Sequence, residues 1–432
     1  MRPGTAAWLF LGASLVGAWF TLNALRPMPR RRHRAVISFF AGWLTAELAI
    51  HHIAWQAIVT GVFVWAGALH TWPGVLGLGV TLISWIGLAR CYAAAWSAEH
   101  IVEEALLRGL GEDYRERILP AVSARFAPAI DWGEIAVPFR RSHPEVERVR
   151  NITYAQVGGH DLKLDVYRPR SRPSRCPTLL QIHGGAWILG SKNEQGIPLM
   201  RHLAARGWVC VSANYRLSPR ATFPDHLVDL KRAIRWIREH GSEYGANPDF
   251  LVVTGGSAGG HLAALVALTQ NVPEYQPGFE HVDTSVRGCV AFYGVYDFTD
   301  SNGVWPHDGL FRLLERRVMK ASRATAAAAY EKASPICRVD RDAPPFFVIH
   351  GNIDTMVPVA EARHFCRVFR DRAEAPLVYA EVPGAQHAFE IFPSVRTSFV
   401  RHGVERFLAV LYSRYLAERG GAVERGAVAT GG

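Results

Sequence analysis

The sequence predicts an α/β protein: a mostly parallel sheet flanked by helices, behind an all-α apolar region. Three observations carry this. From about residue 150 onward, short runs of strand-forming residues alternate with amphipathic helical stretches. Within that alternation, Leu251-Val252-Val253-Thr254 leads through Gly255-Gly256-Ser257-Ala258-Gly259-Gly260 into the helix-like His261-Leu262-Ala263-Ala264-Leu265. The N-terminal region, by contrast, carries uncharged stretches of membrane-spanning length.

Thr5 to Leu25 is the first such stretch, and its dense positive charge follows it, at Arg26 and Arg30-Arg31-Arg32-His33-Arg34. That order favours a retained anchor over a cleaved signal peptide. Apolar sequence resumes from Ala35 to Leu69, interrupted by Glu47, His51, His52 and Gln56, and again from Val75 to Ala95 after Trp72-Pro73-Gly74. Trp43, Trp55, Trp72, Trp85 and Trp96 suit a headgroup belt. As one helix, 35–69 gives three spans; folded back near His51-His52, it gives four. Glu47 and His51 have helical i, i+4 spacing and are expected to pair between packed helices or to mark an interfacial helix end.

Residues Ser97 to Ile118 turn polar and helical, and a proline-bearing linker follows through Pro120, Pro128, Pro138 and Pro144. Asn151–Val157 and Leu162–Tyr167 form a hairpin turned at Gly158-Gly159. Trp208–Ser212 is a strand, and Leu227–Glu239 a helix with Leu230, Ile234 and Ile237 inward. The domains expected are 1–96, transmembrane helices; 97–149, a helical linker with a possible cap contribution; 150–418, catalytic; and 419–432, a disordered tail. Asp297 to Tyr330 lies where a cap insertion is expected.

The turn around Ser257 has the pattern G-x-S-x-G between strand and helix, which lifts a serine clear of the backbone. A serine needs a base, usually a histidine oriented by a carboxylate. The strand 345–351 is followed by Asp354, and the strand 377–382 by Pro383-Gly384-Ala385-Gln386-His387, so the order is Ser, Asp, His. Asp340 and Asp342 precede their strand. Asp297 follows one but is assigned to the site wall or a lid anchor. His350 and His364 lose to His387 on chain order. Upstream, Thr178–Ile182 runs into His183-Gly184-Gly185-Ala186-Trp187, a loop able to aim backbone N–H groups at an oxyanion, with the N–H of Ala258 completing the set. His183 is expected to hold that loop in shape. Asp225 and His226 look like a helix start with a capping role. Trp187, Phe223 and Trp305 are candidates for the pocket or for the core.

Those motifs, with Asn214-Tyr215-Arg216-Leu217-Ser218-Pro219, resemble the hormone-sensitive-lipase-like branch of the α/β-hydrolases. The sequence is similar above all to membrane-anchored carboxylesterases and lipases of mycobacteria and related actinobacteria, over roughly residues 130 to 417. The resemblance implies an α/β-hydrolase fold with Ser257 as nucleophile, His387 as general base and acid, and Asp354 orienting it. It also implies Gly185, Ala186 and Ala258 as oxyanion donors, and esters of short to medium acyl chains as substrates. Ala186 stands where most of the branch has a third glycine; it keeps the N–H while its Cβ narrows the acyl site. Two alternatives share these residues: an arylformamidase-like amide hydrolase and a non-catalytic binding protein.

Composition narrows the partners. The net charge is +10, yet no element interleaves arginines with aromatics, so nucleic acid is not expected. The six cysteines lack metal spacing and no histidine cluster suits a metal, so no metal or cofactor is expected. The partners expected are an ester or lipid substrate and the bilayer. With the arginine cluster cytoplasmic, four spans put the catalytic domain outside and three leave it in the cytoplasm. The outer side is preferred, because an ester hydrolase there meets envelope lipids.

Overall fold

The N-terminal apolar sequence folds into α1 (Pro3–Leu25), α2 (Arg32–Glu47), α3 (Ala49–Trp65) and α4 (Trp72–Leu110). The structure, a computed structural model, describes residues 2–28, 32–126 and 129–429, with side chains to residue 419 except that of Arg32. Arg30, Arg31 and Pro128 therefore lie outside the described residues. Helices α1 and α4 run side by side in one direction: the Trp8 ring lies 5.2 Å from Trp72, and thirteen residues on Thr21 Oγ1 lies 2.8 Å from Ser84 Oγ. Helix α3 runs the other way, with Phe63 stacked on Phe10 at 5.6 Å. A second hydroxyl pair, Thr81 to Ser14 at 2.9 Å, helps join α4 to α1. Small and hydroxyl side chains in such a seam let helices approach closely.

Two of these helices, α1 and α4, are long and apolar enough to cross a membrane, or three spans exist if α2 and α3 count as one broken span. The count of four finds no support among the described helices. The chain bends by 92° between α2 and α3, at Leu48 and not at His51-His52. The cause is tertiary: α2 turns away to lie on the catalytic domain. Trp43 Nε1 donates to the Ala388 carbonyl at 2.8 Å, and Glu47 accepts from Ser394 Oγ at 2.8 Å and pairs with Arg396. Glu47 is thus a partner of the catalytic domain and does not pair between the packed N-terminal helices.

Helix α4 continues for 39 residues, so a division at residue 96 cuts one continuous element. Its second half buries Ala98, Val102 and Leu106 in the catalytic core. It stops at Gly111, whose φ of +98° lies in the region that favours glycine, before residue 118 is reached. The short helices α5 (Pro120–Ser123) and α6 (Trp132–Ala136) follow, the latter capped by Asp131, which accepts from the Glu134 N–H at 3.0 Å.

Among the described residues, eight strands form one sheet: β1 (Val146–Val157), β2 (His160–Pro169), β3 (Cys176–Ile182), β4 (Val209–Ala213), β5 (Ala246–Gly256), β6 (Cys289–Phe292), β7 (Phe346–Gly351) and β8 (Leu377–Val382). Their order is β1-β2-β4-β3-β5-β6-β7-β8. β2 is antiparallel to both neighbours and β3 to β8 are parallel. The helices in chain order are α7 (Ile197–Ala204), α8 (Asp225–His240), α9 (Ala258–Leu268), α10 (Gly309–Leu313), α11 (Ala327–Lys332), α12 (Val359–Arg372) and α13 (Val395–Ala429). α8, α9 and α12 cover one face of the sheet, while α7, α13 and the end of α4 cover the other. Parallel strands covered on both faces need mostly apolar side chains, which β3 to β7 supply around the polar Thr178, Gln181, Ser212, Asn247, Asp249, Thr254 and His350.

Backbone helix α13 carries on through residues 419–429, where glycine and alanine suggested a disordered tail. Alanine, glutamate and arginine there are good helix formers. Residues 430–432 lie outside the described residues. Asp225 opens α8 without capping it: Pro224 is the N-cap, and Asp225 accepts from the Thr222 N–H at 3.1 Å and pairs with Arg216. His226 meets Ser218 Oγ at 3.0 Å.

Candidate active site

β5 ends at Gly256 and α9 begins at Ala258, leaving Ser257 alone at the turn with φ +60° and ψ −124°. A Cβ on Gly259 would lie 2.2 Å from the Ile182 carbonyl, so only glycine lets the new helix start this close to β3. The neighbouring parallel strands end at the same level. β7 delivers Asp354 and β8 delivers His387, each on the loop beyond the strand's carboxyl end, where open α/β sheets collect their ligands.

Asp354 Oδ2 lies 2.7 Å from His387 Nδ1. Its other oxygen accepts the N–H groups of Met356 at 2.8 Å and Val357 at 2.9 Å. Burial works to raise its pKa, but the attraction of His387 and the hydrogen bonds from His350 and His387 outweigh this and hold the carboxyl well below its usual range. Asp354 therefore stays ionised. With Nδ1–H committed to Asp354, the neutral imidazole carries its basic lone pair on Nε2. Gln386 braces the pair, its Oε1 accepting from the Thr355 N–H at 2.7 Å and the His387 N–H at 2.9 Å.

Ser257 and His387 both line one cavity of about 250 Å³, walled also by Ala186, Trp187, Ile188, Val295, Trp305 and Leu310. Among the described residues, the N–H groups of Gly185, Ala186 and Ala258 donate to no protein acceptor. The loop that carries the first two winds through positive φ at Gly185 (+112°), Ala186 (+52°) and Trp187 (+60°). Left-handed backbone at non-glycine residues is costly and tends to persist where function requires it. A Cβ on Gly185 would lie 2.1 Å from the Leu189 carbonyl. Gly185→Ala is expected to displace this loop and lower kcat by about 10²–10³-fold, the cost of a lost oxyanion donor, in a nitrophenyl butyrate assay. Retention of more than a third of wild-type kcat would exclude the loop from that role.

The remaining candidates sort by geometry. His183 is buried, stacks on Tyr215 at 4.4 Å, and its Nδ1 lies 2.8 Å from the Gly184 carbonyl. Burial pushes its pKa down to about 4, so it stays neutral and shapes the loop. His350 Nε2 donates to the Val357 carbonyl at 3.0 Å, behind Asp354. Asp340, Asp342 and His364 do not line the cavity. Nor does Asp297, expected at the site wall or as a lid anchor: its two oxygens accept from Thr299 and Ser301, stapling a turn. Trp187 and Trp305 are cavity residues, whereas Phe223 packs on Tyr275 at 6.2 Å. Trp305 donates to Glu361, whose pKa burial pushes up to about 8. Among the described residues no group of three or more side chains suits a metal ion.

Sequence reasoning missed the wall that comes from α2. Ala35 and Val36 line the cavity, Thr355 Oγ1 donates to the Ala35 carbonyl at 3.1 Å, and Phe39 meets the His387 ring edge-on at 6.1 Å. The only local signal was Phe39 and Trp43 at i, i+4, which reads equally well as membrane sequence.

This sheet, with its serine turn and the Asp-His pair at the strand ends, is the architecture of an α/β-hydrolase esterase. The BD-FAE family model matches residues 164–368. The probable carboxylic ester hydrolase LipM of Mycobacterium tuberculosis is 40% identical over 93% of this chain and 93% of its own length. Esterase LipQ of the same organism is 39% identical over 90% of this chain and 87% of its own length. The chain belongs to this family of carboxylic ester hydrolases. Among solved structures, the native Est2 esterase of Thermogutta terrifontis is 28% identical, with a TM-score of 0.50 over 64% of this chain and 93% of its own. A truncated carbohydrate esterase from gut microbiota is 26% identical, with a TM-score of 0.51 over 60% and 96%.

Proposed function

We propose that the protein cleaves short- to medium-chain acyl esters through a serine acyl-enzyme, while its N-terminal helices hold it in a membrane. The observation that carries the chemistry is the convergence of Ser257 and His387 on one cavity, with Asp354 2.7 Å behind the histidine. Ser257 Oγ attacks the ester carbonyl while His387 Nε2 takes its proton. The N–H groups of Gly185, Ala186 and Ala258 meet the oxyanion of the tetrahedral intermediate. Collapse expels the alcohol, protonated by His387, and water then repeats the sequence to release the acid. Asp354 stabilises the imidazolium formed in each half.

The cavity's size supports the substrate class: about 250 Å³ is small beside the roughly 300–1,000 Å³ of ligand pockets in general. Ala186 adds its Cβ to that wall. A nitrophenyl ester series from two to sixteen acyl carbons tests the reading. The expected optimum lies at the short to medium members; an optimum at sixteen, or turnover of a formamide and of no ester, overturns it.

The membrane reading rests on α1 and α4, whose outward faces expose Trp8, Leu15, Trp19, Ile83 and Ile86. Both helices run toward the catalytic domain. Basic His33 and Arg34 open α2 beside Ala35, which is bonded to Thr355. His33 and Arg34 therefore share one side with the hydrolase, and the positive-inside rule makes that side cytoplasmic. This reverses the outer-side preference drawn from a four-span count. A C-terminal green fluorescent protein fusion in a bacterial host is expected to fluoresce and an alkaline phosphatase fusion to stay inactive; the opposite pair of results inverts the orientation. Extraction by alkaline carbonate removes the membrane reading altogether.

A further inference from the structure

Beneath the serine turn lies a chain of buried polar groups with no part in the triad. The N–H of Gly184, in the oxyanion loop, donates to Gln195 Oε1. A backbone N–H can only donate, so the amide oxygen of Gln195 must face it, and Gln195 Nε2 is left to donate to the Tyr293 hydroxyl at 2.9 Å. The tyrosine's own proton then goes to Glu390 Oε2. Every donor points the same way, ending on a carboxylate, so the bonds polarise one another. Gln195, Tyr293 and Glu390 are all buried.

Both ends of this chain reach the reacting groups. Tyr293 packs its ring on that of His387, 4.5 Å between centroids, and Glu390 sits three residues beyond His387 on the same loop. A Cβ on Gly256, the residue before the nucleophile, would lie 2.6 Å from both Gln195 Nε2 and the Tyr293 hydroxyl. The chain thus threads the space that glycine leaves open below Ser257. Tyr293 also holds a left-handed φ of +37°, with its N–H donated to the Ile349 carbonyl at 2.7 Å. A buried polar network with a strained residue at its centre exceeds what packing alone requires. Burial pushes the Glu390 pKa up to about 7, offset in part by the bonds from Tyr293 and Gln195 and reinforced by Glu47 of α2, itself paired with Arg396 of α13.

We infer that Gln195, Tyr293 and Glu390 form a positioning chain that fixes the oxyanion loop relative to the acid–base histidine, an inference that rests on the triad reading above. Such a chain acts where charge develops, in the transition state, and leaves ground-state binding alone. Gln195→Met and Tyr293→Phe are each expected to lower kcat for nitrophenyl butyrate about tenfold, with KM within twofold of wild type. The Ki of a trifluoromethyl ketone, which adds to the serine as a tetrahedral oxyanion, is expected to rise by the same factor. Gln195→Glu, which keeps an acceptor for the Gly184 N–H, recovers part of the loss.

Tyr293→Phe deprives Glu390 of its hydroxyl donor. If that variant does not fold, Tyr293→Phe/Glu390→Met, which replaces both polar groups, is read in its place. A kcat within twofold of wild type in these variants overturns the inference, as does a kcat loss without a matching rise in Ki. Ser257→Ala runs in parallel. If it is as active as wild type, the nucleophile assignment fails; if it is inactive while Gln195→Met matches wild type, only the positioning chain fails.

Discussion

Ser257→Ala is expected to lower kcat for nitrophenyl butyrate by on the order of 10⁶-fold, as loss of the nucleophile does in serine hydrolases. Its fold should survive. Ser257 precedes α9 but makes no side-chain capping bond, so the substitution removes no hydrogen bond from the helix start. The backbone strain at φ +60° is the same for alanine as for serine. Melting temperature should therefore stay near wild type, within about 0.5 kcal/mol of stability. Residual activity above one part in a hundred, in a preparation freed of host esterases, would mean that another group attacks the ester.

Glu47→Ala carries the second largest effect, and it falls on stability. Glu47 and Arg396 are buried together, with 0% and 1% of their side chains exposed. Removing one partner strands the other charge in a low-dielectric interior, at a cost of about 3–5 kcal/mol. The pair pins the end of α2 to the start of α13, and α2 supplies the Ala35 and Val36 wall of the cavity. Chemical denaturation in detergent should move to lower denaturant by that amount, and selectivity along the ester series should broaden. Glu47→Met/Arg396→Met, with neither charge present, should recover most of the stability. A single variant that unfolds with wild type would sever α2 from the energetics of the catalytic domain.

The catalytic sequence was legible because each piece announces itself locally. Ser257 sits between a strand and a helix in a glycine-walled turn, and Asp354 and His387 follow short, mostly apolar runs bounded by turn residues, which read as strands. Chain order then assigned the triad candidates, and the structure joins Asp354 to His387 as that order requires. The capping role of Asp225 and a site-wall place for Asp297 were not met, since the partners of an isolated acid depend on how a loop closes: Asp225 turned to Thr222 and Arg216, Asp297 to Thr299 and Ser301.

The N-terminal region shows the opposite case. Hydropathy marked its apolar stretches, yet a lipid-facing residue and a core-facing residue have the same hydropathy. Phe39 and Trp43 look like membrane sequence until the catalytic domain is there to receive them. Glu47 looked like a group pairing between N-terminal helices or marking an interfacial helix end, and its partner is 349 residues distant. By itself the sequence determined the sheet, the serine turn and the order of the triad candidates, because strand burial and tight turns are dictated by adjacent residues. Only the tertiary structure decided that α2 walls the cavity, that α4 belongs to the catalytic core, and that Gln195, Tyr293 and Glu390 meet beneath Ser257. Those contacts join segments far apart in the chain, and their energy exists only once the segments are packed together.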